Sequence, residues 1–533
     1  MSTQTLTLAP DAVAPRMPVE SADADAGTRK ARAGLAMSIA TFAMAAASAI
    51  QAILYLGRFG TNARTDGFFV AFALYSTFGV FSQSLRVTSV PLLVEPGARL
   101  STGRFAATLG LIAFPVLLLT GPLAGPLAHL IAPGLSPHGR AITAAALPVL
   151  GCAMVLQLWA AGGATVLAIR DRFTTIAGAY MSGAASGLVA FLVLMAHTGV
   201  QTLGWSMLTM SVVTSAWMLA GVRRSGGFGA AQRGSAAPAG LSFAPAALAR
   251  DCGVVLGRTS IYLAFNVLFV ITLAFGSRSA AGGTTVLSYA YLFVSYLVAG
   301  TGMALGMSSI PDLTRAARSQ QRSVVAAAIP RGFRYAMLIA APALAVLIAA
   351  GASLVHAVLP RSLSGAEAHS LRIFAALLLP WLIAALIVNF LLPVLLAFGR
   401  ARLLGALAVP LVVLQLVATA IGSALFGVDG AVGAFWVAPS CLAAVLLVAA
   451  TGRSGAWALA RELASDGLRF FAVAALAFGV GWAIGAALPA PASVQAAVAG
   501  LIGCAAYLAG LWLIARPQLE VLLGALITRP EPA

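Results

Sequence analysis

The sequence predicts an all-α polytopic membrane protein of about fourteen transmembrane helices, arranged as two parallel-repeat bundles of about six helices each plus a C-terminal helix pair. Three observations predict it. The chain of 533 residues is 60% hydrophobic and only 9% charged, with mean hydropathy +0.97, which is too apolar for its surface to be hidden inside water-soluble domains. Apolar runs of ~20 residues, the length that spans a bilayer, recur along nearly the whole chain. The arginines gather in the short gaps between those runs, so the net charge of +17 reads as membrane topology and not as a nucleic-acid footprint.

Residues 1–33 mix proline, alanine, serine and acids without periodicity and are expected to form a disordered cytoplasmic tail. They are not a signal peptide, because the basic cluster Arg29, Lys30 and Arg32 precedes an apolar run too long for a signal core. Runs over 34–57, 67–94, 105–132, 141–168, 174–196 and 200–222 make an N-terminal bundle, 34–222. A polar Gly/Ala/Ser-rich stretch, 223–250, reads as a cytoplasmic linker. Runs over 253–276, 284–311, 331–359, 371–397, 403–426 and 429–451 make a C-terminal bundle, 251–452. Two further runs, 468–488 and 493–515, form the additional pair in 453–516, followed by a cytoplasmic tail, 517–533. The tightest turns fall near Gly199 and Asp429.

Arginine placement tests this order. With the N-terminus inside, the inner loops hold Arg99 and Arg104, Arg170 and Arg172, Arg223 and Arg224, Arg315 and Arg318, Arg400 and Arg402, Arg453 and Arg461, and Arg516. The opposite side holds the sparser set Arg58, Arg64, Arg140, Arg278, Arg361 and Arg372. That bias predicts both termini in the cytoplasm. A weak internal repeat accompanies it: a shift of ~220 residues sets Leu85 on Leu305 and Pro91 on Pro311, and a shift of ~229 sets Leu167 on Leu396, Gly204 on Gly433 and Arg224 on Arg453.

Polar residues inside the runs are few, and each carries a cost in lipid. Arg86 lies in the second run; Arg258 lies about two turns into the seventh, with Asn266 eight residues beyond it on nearly the same helix face. They either line a cationic cleft for an anionic headgroup, since guanidinium binds phosphate bidentately, or snorkel to the cytoplasmic interface. Asp66, beside Arg58 and Arg64 at the mouth of the second run, caps its helix, pairs with those arginines, or binds an ion. Asn389, Pro380 and Pro393 mark a kinked or broken helix. Residues 312–334 resemble a basic amphipathic helix lying on anionic lipid. Histidines His129, His138, His197, His356 and His369 fall near outer helix ends, where an imidazole is usually interfacial. The four cysteines, Cys152, Cys252, Cys441 and Cys504, lie far apart and read as buried thiols, not as a disulfide or zinc set. No Walker motif, nucleophile elbow, HExxH motif or paired catalytic carboxylates is present, so no covalent chemistry and no cofactor is expected.

The run GRFGTNARTDGFFVAF from Gly57 to Phe72, then FSQ at Phe81 to Gln83 and VPLL at Val90 to Leu93, resembles the MviN/MurJ family of lipid II flippases, whose matching stretch reads TDAFFVAF, then FSQ and VP. SYAYLFVSYLVAGTGMALGMSSIPDL, from Ser288 to Leu313, is similar to that family's YYADRL segment and the small-residue run ending in LP. The resemblance implies the fold of the multidrug/oligosaccharidyl-lipid/polysaccharide (MOP) exporter superfamily. It also implies export of a polyprenyl-pyrophosphate-linked glycan by alternating access, in the cytoplasmic membrane of a bacterium making cell wall. The expected partners are that lipid-linked glycan, anionic membrane lipids and a coupling cation, with no nucleic acid. Departures are equally specific. The family's first helix carries arginine, and this one has no charge; its LLRR stretch is LYSTFGVF here, and its ADRL is Ala290, Tyr291, Leu292 and Phe293. Only Asp66 carries over from the charged cleft, leaving Arg58, Arg86 and Arg258 as replacement headgroup contacts. An ion-coupled exporter of amphipathic small molecules and a transport-inactive scaffold for envelope synthesis remain as alternatives.

Overall fold

The computed structural model describes residues 40, 43–44, 46–94, 100–228, 244–298, 301, 322–358, 364–514 and 516. Every element among them is helical. In chain order they are α1 (46–59), α2 (Ala63–Val94), α3 (Thr102–Thr120), α4 (Ala124–Ile131), α5 (Pro137–Ile169), α6 (Phe173–Leu194), α7 (Thr202–Arg224), α8 (Pro245–Gly276) and α9 (Gly283–Val298). The second part holds α10 (Arg322–Val358), α11 (Gly365–Leu377), α12 (Leu379–Ala397), α13 (Ala401–Gly433), α14 (Val437–Thr451), α15 (Arg453–Ala486) and α16 (Ala492–Ile514).

The helix starts follow local chemistry. The Ser101 hydroxyl accepts from the Arg104 N–H at 3.2 Å to open α3, and Ser136 accepts from the Gly139 N–H at 3.2 Å, with Pro137 in the first turn, to open α5. Ser364 and Glu367 form a reciprocal capping box at α11.

Several expected boundaries move. The run 105–132 divides between α3 and α4 at Gly121–Leu123, where Pro122 has no N–H for the ladder. The run 371–397 divides at Leu378, just before Pro380. The expected linker loses its end, because α8 begins at Pro245, a proline in the first turn. Of the expected surface helix 312–334, residues 322–334 are instead the opening turns of the 37-residue α10, and the remainder lies outside the described residues. So do the tails 1–33 and 517–533. The turn near Asp429 lies at Phe426 and Gly427, where Gly427 has φ 63 and breaks α13 into two arms. A Cβ on Gly422 would lie 2.3 Å from the Gly430 carbonyl, so the arms cross with backbones in contact.

Among the described residues, 11 helices are long and apolar enough to cross a membrane. Three features separate that number from the expected one: the first run is described only in part, α9 is a shorter apolar helix, and the 51-residue stretch Ala401–Thr451 counts once despite its break. The outer surface carries large apolar side chains, with Phe114 66%, Leu130 75%, Val409 71% and Leu513 79% exposed, which is the surface expected where the solvent is lipid. Cys152, Cys441 and Cys504 are also exposed and Cys252 is half-buried, against the expected buried thiols: on helix faces turned toward lipid a thiol needs no core.

In the first half α2 packs on α5, α5 on α7 and α6 on α7; in the second, α8 packs on α13, α9 and α10 on α11, and α12 on α14. The pair α15 and α16 docks on α10. Arg334 holds it, with Nε donating to Asp466 at 2.6 Å and Nη2 to Glu462 at 2.8 Å, and the Tyr507 hydroxyl donates to the Leu338 carbonyl at 3.1 Å. The halves meet where α2 lies against α8 and α9, and α3 against α8.

Candidate functional site

The site is built on the seam between the halves, starting at the first turn of α2. Asn62 caps that helix, its Oδ1 accepting from the N–H groups of Arg64 at 2.9 Å and Thr65 at 3.2 Å. One turn later Asp66, 2% exposed, faces away from its own helix end. Its Oδ2 accepts from the Gly282 N–H at 2.7 Å, and its Oδ1 accepts from the Thr285 N–H at 2.8 Å and the Thr285 hydroxyl at 2.7 Å. Asp66 therefore caps α9, a helix of the other half. Its negative charge sits against the positive end of the α9 dipole. The expectations that it caps α2 or pairs with Arg58 or Arg64 do not hold, since both of those guanidinium groups are exposed and α2 already has Asn62.

The internal repeat explains the geometry. The Thr65 and Thr285 hydroxyls lie 3.0 Å apart, and their numbers differ by 220, the register read from the sequence. Under the same shift Asn62 corresponds to Gly282, which has no side chain to cap α9. The missing cap is supplied across the seam by Asp66. Gly282 has φ 94, and a Cβ there would lie 2.7 Å from Glu367 Oε1. The Thr61 hydroxyl donates to that same carboxylate oxygen, adding α11 to the seam. Burial raises the Glu367 pKa, but hydrogen bonds from Thr61 and from the Ser364 N–H and hydroxyl outweigh it and hold the carboxyl below its ordinary value. Alongside, the Gly134 N–H donates to Ser277 Oγ at 3.1 Å, joining the α4–α5 and α8–α9 connections.

The seam continues inward. The Tyr289 hydroxyl donates to the Ala52 carbonyl at 2.9 Å, the Phe69 and Tyr289 rings lie 5.1 Å apart, and the Thr77 hydroxyl donates to the Asn266 carbonyl at 3.3 Å. The Asn266 side chain donates to Tyr262 O of its own helix at 2.9 Å. Toward the far end of α2, Arg86 stacks over the Tyr180 ring at 5.3 Å, and Arg258 is half-buried on α8. Arg86 is ~30 Å along α2 from Asp66 at 1.5 Å per residue. The five sequence candidates thus do not converge: Arg58 and Asp66 sit near one end of the seam, Asn266 midway, and Arg86 and Arg258 toward the other.

At that other end the halves touch again. Arg104 Nη2 of α3 lies 2.5 Å from Asp251 Oδ2 of α8, with side chains 14% and 8% exposed. The contact is an ion pair by distance without hydrogen-bond alignment, because Arg104 Nη2 and Asp251 Oδ2 have no aligned partner among the described residues. Sequence reasoning missed this pair, as it missed Thr61, Gly282, Thr285 and Glu367. The repeat register could have paired Thr65 with Thr285 and Asn62 with Gly282, and the S-x-x-E spacing marks Glu367 as a local cap, but nothing in the sequence joins Thr61 to Glu367.

The positions where the resembled family carries charged residues are filled differently. Gly79 has open space around a built Cβ. Tyr291 stacks on Phe269 with ring centroids 3.6 Å apart and joins Trp381 and Phe435 in an aromatic cluster, while Leu292 packs among Tyr55, Phe69 and their neighbours. Among the described residues, no group of three or more His, Cys, Asp or Glu side chains could hold a metal ion.

No protein-family model and no curated protein sequence matches the chain. Solved structures do. The lipid II flippase MurJ in an inward closed conformation is similar at TM-score 0.68 with 13% identity, covering 91% of this chain and 99% of that one. An inward-facing multidrug resistance MATE transporter of the MOP superfamily reaches TM-score 0.56 with 14% identity, covering 81% and 98%. A MOP superfamily transporter from Pyrococcus furiosus reaches 0.53 with 15% identity, covering 80% and 96%. The chain is a multi-pass helical membrane protein with the fold of the MurJ flippase and of MOP superfamily transporters.

Proposed function

We propose that the chain is an alternating-access transporter that flips a polyprenyl-pyrophosphate-linked glycan across a bacterial cytoplasmic membrane. The observation that carries the reading is the trans cap: the seam between the halves is held at one end by a carboxylate on two backbone N–H groups and a hydroxyl, and at the other by the Arg104–Asp251 ion pair. Such contacts are strong while dry and are exchanged for water when either end opens, so each can hold one of two global states. The greater overlap with MurJ than with the MATE transporters supports a lipid-linked substrate over a soluble one.

Arg86 and Arg258, on facing helices toward the end that the arginine bias assigns to the cytoplasm, are the headgroup contacts in this reading. Arg58 would meet the headgroup at the opposite mouth, and Asp66 and Asn266 shape the path between. A second reading, an ion-coupled exporter of amphipathic small molecules, is favoured by one observation: the positions where the resembled family carries its cations hold no side chain at Gly79 and an aliphatic one at Leu292. Mass spectrometry of lipids retained through mild purification separates the two. A retained polyprenyl-pyrophosphate glycan, lost in Arg258→Ala and partly kept in Arg258→Lys, supports the flippase. Retention of ordinary phospholipid alone, in wild type and variants equally, overturns it.

A further inference from the structure

A cavity of about 540 Å³ opens on the outer surface of the first half, away from the seam, where the last turn of α5, the first turn of α6 and the last two turns of α7 meet. Arg172 and Arg224 line it together with Thr175, Ser225 and Trp217. Gly221 forms its tightly packed wall: a Cβ there would lie 2.9 Å from the Thr175 methyl and 3.3 Å from Leu167, so the missing side chain lets α7 close on α5 and α6 beside the cavity. Its floor is fixed by Arg170, whose guanidinium donates to Ser225 O at 2.9 Å, Ser225 Oγ at 2.7 Å and Gly227 O at 2.6 Å. That arginine spends its donors inside the protein. Arg172 and Arg224 are exposed, and their guanidinium groups have no hydrogen-bond or ion-pair partner among the described residues.

The surroundings favour an anion. Arg172 is the N-cap residue of α6 and makes no side-chain cap, so the first N–H groups of that helix have no capping side chain and carry the positive end of its dipole. Arg223 adds charge beside the cavity, and Asp171 is the sole acid between residues 137 and 228. Asp171 is exposed, with φ 56, and does not line the cavity. Above the guanidinium groups the wall turns apolar. Trp217, 48% exposed, sits two turns, ~10 Å, further along α7 on the face of Arg224, with Ala220 between them. Cations at the mouth and an indole about one headgroup depth away match a phospholipid: phosphate below, glycerol and first acyl methylenes above.

We propose that this cavity is a binding site for the phosphate of an anionic phospholipid headgroup, held between Arg172 and Arg224 with its acyl chains along Trp217. The site is separate from the transport seam and does not depend on what the seam carries.

The test titrates the purified, delipidated full chain in detergent with phosphatidylglycerol, phosphatidylcholine or inorganic phosphate, following thermal stability and bound lipid by native mass spectrometry. The proposal expects selective binding of phosphatidylglycerol. Affinity should fall about 30-fold in the Arg172→Ala, Arg224→Ala double variant, be partly retained in the double lysine variant, and fall far less in Arg223→Ala, which removes one neighbouring charge from outside the cavity. Unchanged phosphatidylglycerol affinity in the double alanine variant, or an equal loss in Arg223→Ala, would show general surface charge and overturn the site. Equal binding of phosphatidylcholine, or stabilisation by inorganic phosphate without any by phosphatidylglycerol, would overturn the anionic-lipid assignment.

Discussion

Gly282 is the residue at which a single methyl group acts most directly on the seam. Its φ of 94 is costly for an L side chain, and a Cβ would lie 2.7 Å from Glu367 Oε1 and 3.2 Å from Thr61 Cβ. Gly282→Ala is therefore expected to push α9 away from Asp66 and loosen that end. A cysteine at Ser288, 2% exposed in the closed seam, should then label faster from the side Asp66 faces; unchanged labelling would mean the trans cap does not hold the closure. Glu367 gives the same contact a pH dependence. Its folded pKa lies below the ordinary 4.5, so the carboxylate's contribution is fully present above that value and fades as pH falls through the folded pKa. The stability difference between wild type and Glu367→Gln should accordingly stay constant from neutral pH down to the ordinary glutamate pKa and shrink only below it. A difference that vanished nearer neutrality would contradict this. The S-x-x-E spacing of Ser364 and Glu367 is legible in the sequence because a capping box is local. Thr61, 306 residues away, is not, because nothing local specifies a partner across the fold.

At the scale of elements, the spans were legible because a bilayer imposes a length and an apolar composition that sequence displays directly. Breaks inside the runs were harder. At Gly121–Leu123 and Leu378 a proline removes one donor without interrupting hydrophobicity, so an apolar count runs straight through. The start of α8 at Pro245 was hidden for the opposite reason: the charged pair Arg250 and Asp251 cuts its first turns, PAALA, off from the apolar run. Orientation is testable on exposed helix starts. In a background without the native cysteines, single cysteines at His138 and Gly365 should label from outside intact cells, and those at Ala249 and Ser454 should label only after permeabilisation. Labelling of all four from one side would refute the alternation. The contact between α3 and α8 predicts an energetic signature. Losing one member of a buried ion pair strands the other, typically at about 3–5 kcal/mol, whereas removing both together is far milder. Arg104→Leu and Asp251→Leu should each lower the melting temperature strongly and the double variant much less. Additive losses would show that the two side chains do not interact.

For the whole molecule, the repeat was the most informative feature of the sequence, since one register of 220 residues aligned Leu85 with Leu305 and also brings Thr65 onto Thr285 at 3.0 Å. What the repeat could not reveal is how its two copies differ. Asn62 caps α2 from within, Gly282 leaves α9 uncapped, and only the assembled seam shows Asp66 making up the difference. The same limit applies to the candidate cations, which lie on α1, α2 and α8 toward opposite ends of the seam although the sequence presents them as one set. That spread bears on substrate. A pyrophosphate in a low-dielectric path needs paired positive charge, and here the resembled family's cationic positions hold no side chain at Gly79 and an aliphatic one at Leu292. Wild-type protein is therefore expected not to sustain growth when an essential lipid II flippase is depleted. Arginine at Gly79 enters open space. Arginine at Leu292 displaces a packed side chain beside Tyr55 and Phe69, so Gly79→Arg should be tolerated alone while Leu292→Arg should be tolerated best in combination, with a second cation to share the anionic headgroup. Improved growth from the double variant, at matched membrane levels, would assign the deficit to missing charge. Robust growth with the unmodified chain would show that Arg58, Arg86 and Arg258 suffice even when spread along the seam. Failure of both at normal expression would turn the assignment toward the exporter of amphipathic small molecules, for which the aromatic cluster of Phe269, Tyr291, Trp381 and Phe435 offers an apolar wall and no counter-charge is required.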